Sequence, residues 1–277
     1  MAIADLAEQL LRYAFMRNAF AAGTAVAVLA GVIGWFVVLR GETFAGHTLS
    51  SVGFPGAAGA VLFGLPQLLG LAVLCTASAL GIASLGRVAE GDRYGAPAAI
   101  GTIQAFALAL GFLFASLYRG LLNGVNGILF GTLLGITQAQ VVLLAALAVL
   151  SICAMAVISR PLLYVSIDPD AAASAGIPVK ALSVAFLVLL ALSVAATTLI
   201  TGALLTFALL VMPAAAAQQL VTRPPVAVLL SVALGVAIVW LSLATAYLTD
   251  YPIGFFVTSF GFAVYLLSRA VRRLSLA

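Results

Sequence analysis

ALSVAFLVLLALSVAATTLITGALLTFALLVMPAAAAQQ, residues 181–219, decides the fold. It carries no charged side chain from end to end. A helix rises 1.5 Å per residue, and the hydrocarbon core of a bilayer is about 30 Å thick, so roughly 20 residues make one crossing. This block is too long for one crossing. Small polar residues cluster at Thr197–Thr201, and the block is expected to split there into two helices.

The rest of the chain repeats the pattern. Of its 277 residues 65% are hydrophobic and 7% charged, where a soluble domain carries about 25% charged residues. Spans are expected at 19–39, 44–63, 67–86, 99–118, 138–158, 181–198, 201–219, 226–247 and 253–268. The second holds Gly46, Gly53, Pro55 and Gly56, so the bundle has eight or nine spans according to whether that segment crosses whole. Strand-like alternation is absent. The chain therefore reads as a single all-α polytopic transmembrane domain over 1–277. The run Ala19–Leu39 is longer than a signal-peptide core and lacks a clear processing site. Residues 1–18, with charges among Leu, Tyr and Phe, are read as an interfacial helix.

Arg and Lys set the orientation. Placing Arg40, Arg87, Arg93, Arg160, Lys180, Arg223, Arg269, Arg272 and Arg273 in the cytoplasm leaves only Arg12, Arg17 and Arg119 outside. The net charge of +4 thus reflects anchoring at span ends and gives no reason to expect nucleic acid. Cys75 and Cys153 lie in apolar runs and read as packing thiols, with no disulfide framework.

The cytoplasmic loop 164–178, YVSIDPDAAASAGIP, is the best-punctuated element. Asp168 suits an N-cap, Pro169 the first helical position, and Asp170 the positive helix end. Gly176 can close the helix, and Pro178 prevents its continuation. A helix of about two turns is marginal in water and needs a surface to pack on. That surface is either its own bundle or, through Ala172, Ala173 and Ala175, a groove on another protein.

This loop resembles the coupling element of the permease subunits of metal-ion ABC transporters, the zinc, manganese and iron uptake family. The resemblance rests on Asp168, Pro169, Ala172 and Gly176. Three further stretches are similar to that family, in the same order. They are residues 15–56 with their long first span and Gly…Ser…Pro-Gly helix, TGALLTFALLVMPAAAAQ (201–218), and TDYPIGFFVTSFGFAVYLLSR (249–269). The resemblance implies a homodimeric permease in the plasma (inner) membrane. Two ATPase subunits would dock beneath it, and an extracytoplasmic metal-binding protein would deliver the ion. The chain has no G-x-x-x-x-G-K-[ST] loop, so ATP would bind on the partner and no cofactor on this chain.

In that family the second span carries an Asp and, one turn on, a His. Here His47 stands at the Asp position and Ser51 at the His position, so the ligand pair does not transfer. What remains is a stripe of Thr43, His47, Ser50 and Ser51. His47, the sole histidine, has two readings at this point: a weak ligand on an ion path shared by two copies, or a hydrogen-bonded packing residue. Imidazole without a carboxylate leans towards zinc over manganese as the transported ion. Pro55 and Gly56 are expected on the pathway. Pro213, which frees a backbone carbonyl four residues earlier, is either a hinge on that path or a packing kink. Gln67, Gln104, Asn123, Asn126, Gln138 and Gln140 are weaker polar candidates. Asp250 is placed at the outer mouth, facing the delivering protein or capping the last span.

Rival readings are a permease for another cargo, such as an iron chelate or vitamin, and a gradient-driven transporter. The latter would need intramembrane acids, and Glu42 and Asp250 sit at span ends. No HExxH, Asp pair or Ser–His–Asp set suggests an enzyme.

Overall fold

The structure, a computed structural model, describes residues 12–88, 95–118, 135–249 and 251–276. Arg93, Arg119, Asn123, Asn126 and Asp250 lie outside the described residues, as do residues 1–11 of the expected interfacial helix.

Ten helices follow one another among the described residues: α1 (Ala14–Leu39), α2 (Thr43–Leu62), α3 (Gln67–Val88), α4 (Gly95–Leu117), α5 (Gln138–Ile167), α6 (Pro169–Ser174), α7 (Val179–Thr201), α8 (Ala203–Leu220), α9 (Pro224–Thr249) and α10 (Ile253–Leu276). There is no strand among them. The fold is an all-α polytopic bundle, and the nine long helices coincide with the nine expected spans. Seven are long and apolar enough to cross a bilayer by length and composition, and the apolar helix Leu205–Leu220 is shorter. The more polar α2 is enclosed by neighbours, burying its length from Ala45 to Ala60 except at His47 and Ser51.

The apolar block 181–219 breaks at one residue. Gly202 adopts φ 77 and ψ 162, between α7 and α8. An L side chain rarely takes that backbone conformation. Across the break the hydroxyls of Thr198 and Thr206 lie 3.1 Å apart, both buried. The polar cluster thus satisfies backbone and side-chain groups where the helix stops.

Helices α1 and α2 form the inside. α1 packs on α9, α5 and α8; α2 packs on α3 and α4 and touches α8 and α7. Close approach depends on small residues: Ser231 of α9 donates to Gly31 O of α1 at 2.9 Å, and Gly56 of α2 abuts Gly70 of α3 backbone to backbone. Such contacts drive association where lipid removes the hydrophobic incentive. α4 and α5 present Phe106, Phe112, Val149, Leu150 and Val157 outward, as lipid-facing helices do.

Bonds between distant helices show which helix ends share a face of the bundle. Asn18, early in α1, bonds Ile136 O just before α5. Gln218, late in α8, bonds Trp35 O, late in α1. Three span boundaries differ clearly from expectation. α1 begins at Ala14, taking in part of the expected interfacial segment, α5 runs to Ile167, past Pro161, and α10 continues eight residues past 268 to Leu276. At 30 residues and 1.5 Å each, α5 is about 45 Å long and leaves the hydrocarbon before it ends. It delivers the chain directly to α6.

Candidate functional site

Arg40, Gly41 and Glu42 build the turn that launches α2. Glu42 N–H bonds Val37 O at 2.9 Å and Gly41 N–H bonds Val38 O at 3.2 Å, a Schellman ending of α1 with Gly41 at φ 68. The turn fixes where the next residues of α2 point.

Above it runs a polar seam. Thr48 is fully buried and donates to Gln104 Oε1 of α4 at 3.0 Å. Gln104 Nε2 donates to Ser51 Oγ at 3.3 Å. Ser51 in turn donates to the His47 carbonyl at 3.1 Å. Ser50 is buried and donates to Gly46 O at 3.0 Å. Thr43 is the half-buried first residue of α2. The structure therefore links Ser51 to the His47 backbone, turns Ser50 to its own helix, draws the expected candidate Gln104 into the seam, and adds Thr48. Thr48 was missed because its partner is 56 residues away.

The His47 ring stands edge-on to Phe207 of α8, with centroids 4.9 Å apart. Its Nδ1 is buried and has no hydrogen-bond partner among the described residues. An imidazole held by a ring contact on one side and an unsatisfied nitrogen on the other can accept a proton donor or a metal ion. His47 is the fifth residue of α2, about 6 Å along the helix from its start. That places it towards the Arg40 end rather than at mid-span. Among the described residues no three His, Cys, Asp or Glu side chains come together to hold a metal.

Pro55 lies inside α2 and Pro213 inside α8, and both helices continue through them. Gly56 forms the crossing with α3. Gln140 completes a capping box with Thr137 at the start of α5, while Gln67 and Gln138 are exposed.

The coupling loop folds into α6. Asp168 Oδ1 accepts from Ala171 N–H at 2.9 Å, Pro169 opens the helix, and Asp170 lies in the first turn. At the other end Ile177 N–H bonds Ala172 O and Gly176 N–H bonds Ala173 O, each at 3.0 Å. Ala172 is fully buried and packs inward. The outward surface is thus Asp168, Pro169, Asp170, Ala173, Ser174, Ala175 and Gly176.

A cavity of about 430 Å³ opens beside the α1–α2 turn, lined by Glu42, Phe44, Ile100, Lys180, Ser183 and Leu187 among others. His47 is not among its lining residues. Glu42 pairs with Arg40 at 2.8 Å, yet its Oε2 is buried without a hydrogen-bond partner among the described residues. Burial pushes the Glu42 carboxyl above the ordinary carboxylate range, and Arg40 pulls it back only in part.

Nine long helices, a polar one of them on the inside, with a capped knob at one end of the bundle, define a membrane-embedded transport permease. The chain belongs to the ABC 3 transport family, whose model matches residues 12–272. It is 31% identical to the manganese transport system membrane protein MntC of Halalkalibacterium halodurans, over 83% of this chain and 77% of that one. It is 27% identical to a probable iron transport system membrane protein of Haemophilus influenzae, over 76% of each chain. Among solved structures, PsaBC from Streptococcus pneumoniae in complex with Fab superposes with a TM-score of 0.86 at 25% identity, covering 96% of this chain and 95% of that one. The chain is accordingly a multi-pass protein of the bacterial-type plasma membrane.

Proposed function

We propose that this chain is the permease subunit of an ATP-driven importer of divalent metal ions, working as a pair of copies. Two ATPase subunits grip α6 from the cytoplasm, and an extracytoplasmic binding protein hands the ion to the outer face. The observation that carries this reading is the family match along nearly the whole chain, joined to relatives named for manganese and iron transport.

The polar seam of α2 lies on the ion's path. One chain offers a single imidazole there, so a site needs the second copy: two His47 side chains meeting across the pair, with hydroxyls and water completing the shell. Such a site binds weakly, as transport requires, because the ion must leave again. Imidazole without carboxylate favours zinc over manganese, so the cargo is zinc first, whatever the relatives carry.

The test is ion uptake by proteoliposomes holding the permease, its ATPase and its binding protein. Radioactive Zn²⁺ is expected to enter on ATP addition and to be competed poorly by Mn²⁺. His47→Ala at equal protein is expected to cut uptake about ten-fold, roughly the weight of one lost strong polar contact. Preferred Mn²⁺ entry overturns the zinc assignment, and unchanged uptake by His47→Ala removes the histidine from the path. Entry of neither ion overturns the importer itself.

A further inference from the structure

The Arg40 guanidinium joins its near neighbour Glu42 to two helices that lie more than a hundred residues further along the chain. Its Nε donates to Glu42 Oε1 at 2.9 Å. One terminal nitrogen donates to Ser166 Oγ at 3.3 Å and the other to Ser183 Oγ at 3.0 Å. The planar group also lies 5.2 Å from the centroid of the Phe186 ring. Its side chain is 9% exposed, so these are contacts within the bundle.

The three partners have a common geography. Ser166 lies in the last turn of α5, two residues before Asp168 caps α6. Ser183 lies in the first turns of α7, just after the loop that leaves α6. Glu42 is the residue from which α2 starts. One rigid fork thus ties both helices flanking the coupling helix to the base of the helix that bears His47, Thr48 and Ser51. Arg supplies such a fork where Lys supplies only a point charge. The cavity lined by Glu42, Phe44 and Ser183 leaves room beside the joint for α2 to shift against α7.

We infer that Arg40 is a positioning residue for transport: displacement of α6 by an ATPase reaches the polar helix α2 through the Arg40 fork. The inference rests on the permease reading. It goes beyond that reading in saying which side chain transmits the motion.

The experiment uses the full complex in liposomes, with Zn²⁺ and Mn²⁺ as probes. The variants are Arg40→Lys, which keeps the charge and loses the fork, and Ser166→Ala/Ser183→Ala, which keeps Arg40 and removes its distant acceptors. ATP hydrolysis, ion uptake and Tm are read together. Both variants are expected to keep hydrolysis within about two-fold while ATP consumed per ion rises about ten-fold, as for loss of a charge-assisted hydrogen bond. Hydrolysis and uptake falling in step with a lowered Tm would show a merely structural role and overturn the inference. So would an unchanged ATP-to-ion ratio. A fluorophore at Phe44→Cys, with Cys75 and Cys153 replaced by Ser, gives a second readout that needs no ion. Its emission is expected to respond to ATP in the parent protein and not in Arg40→Lys; an equal response in both overturns the inference. A complex that hydrolyses ATP and moves neither ion defeats the importer reading, and the fluorophore still decides the role of Arg40. Absence of any ATPase association defeats both.

Discussion

Glu42 shows how a single residue ties chemistry to pH. It sits outside the spans, with one carboxylate oxygen on Arg40 and the other buried without a partner among the described residues. Lys180 also lines the cavity that Glu42 faces. Burial outweighs the attraction of Arg40, so the carboxyl is held above its ordinary value of 4.5. The folded protein then binds this proton more tightly than the unfolded chain does. The cost of burying the charge is absent below the ordinary value. It grows as pH rises through the window above that value and is complete above the folded one. This residue therefore lowers thermal stability as pH climbs out of the acid range. In detergent, Tm of the parent protein is expected to carry that downward component and Glu42→Gln to lose it. Identical pH profiles for the two would refute the account.

Helix crossings set a harder limit than any single polar bond. A Cβ added at Gly70 would meet the Ala60 Cβ at 2.6 Å and the Gly56 carbonyl oxygen closer still. Neither can retreat, because one is backbone and the other is a side chain with no rotamer. At Gly101, on α4, an added Cβ meets nothing within 4 Å. Gly70→Ala is expected to cost about 1–3 kcal/mol through overpacking, and Gly101→Ala to be neutral or slightly stabilising. Melting curves of the two variants in one detergent check the contrast; equal Tm values would show that α2 and α3 do not cross where described. The capping of α6 gives a second test at this scale. Asp168→Ala removes the acceptor for Ala171 N–H, a loss of about 0.5–2 kcal/mol from the helix end. Co-purification of an ATPase with the permease is expected to weaken while Tm of the bundle hardly moves. Undiminished capture would take α6 out of the contact.

The same elements show what the sequence could and could not disclose. The nine long helices were legible because bilayer thickness imposes one length on each apolar run, and the Thr197–Thr201 cluster marked the break at Gly202. α6 was legible because caps are local: Asp168, Pro169 and Gly176 act within one loop. The inward turn of Ala172 was not, since it depends on where α5 runs. Thr48–Gln104 and the fork of Arg40 were hidden for the same reason. Their partners lie 56, 126 and 143 residues away, and no periodicity encodes such a distance. A signal did exist at Arg40-Gly41-Glu42, where opposite charges flank a glycine between two apolar spans.

At the scale of the molecule, orientation carries the most consequence, because it decides which end of α2 the ion leaves by. The expectation from the sequence rests on the membrane's preference for Arg and Lys on the cytoplasmic side. The structure shows which helix ends lie on the same side. Arg40, Ser166 and Ser183 come from three different helices and meet at one level, so the α1–α2 turn and α6 share a face. Leu65, between α2 and α3, then belongs to the opposite face, and both it and Ala175 are exposed. Cys153 is exposed near the middle of α5, at a depth that a membrane-impermeant maleimide does not reach, and Cys75 is buried. Intact cells should therefore leave the parent protein unlabelled. Leu65→Cys should label from outside, and Ala175→Cys only in inverted vesicles. The reverse pattern would put α6 outside the cell. An ATPase could not then reach it, and His47 would lie nearer the delivering side than the exit.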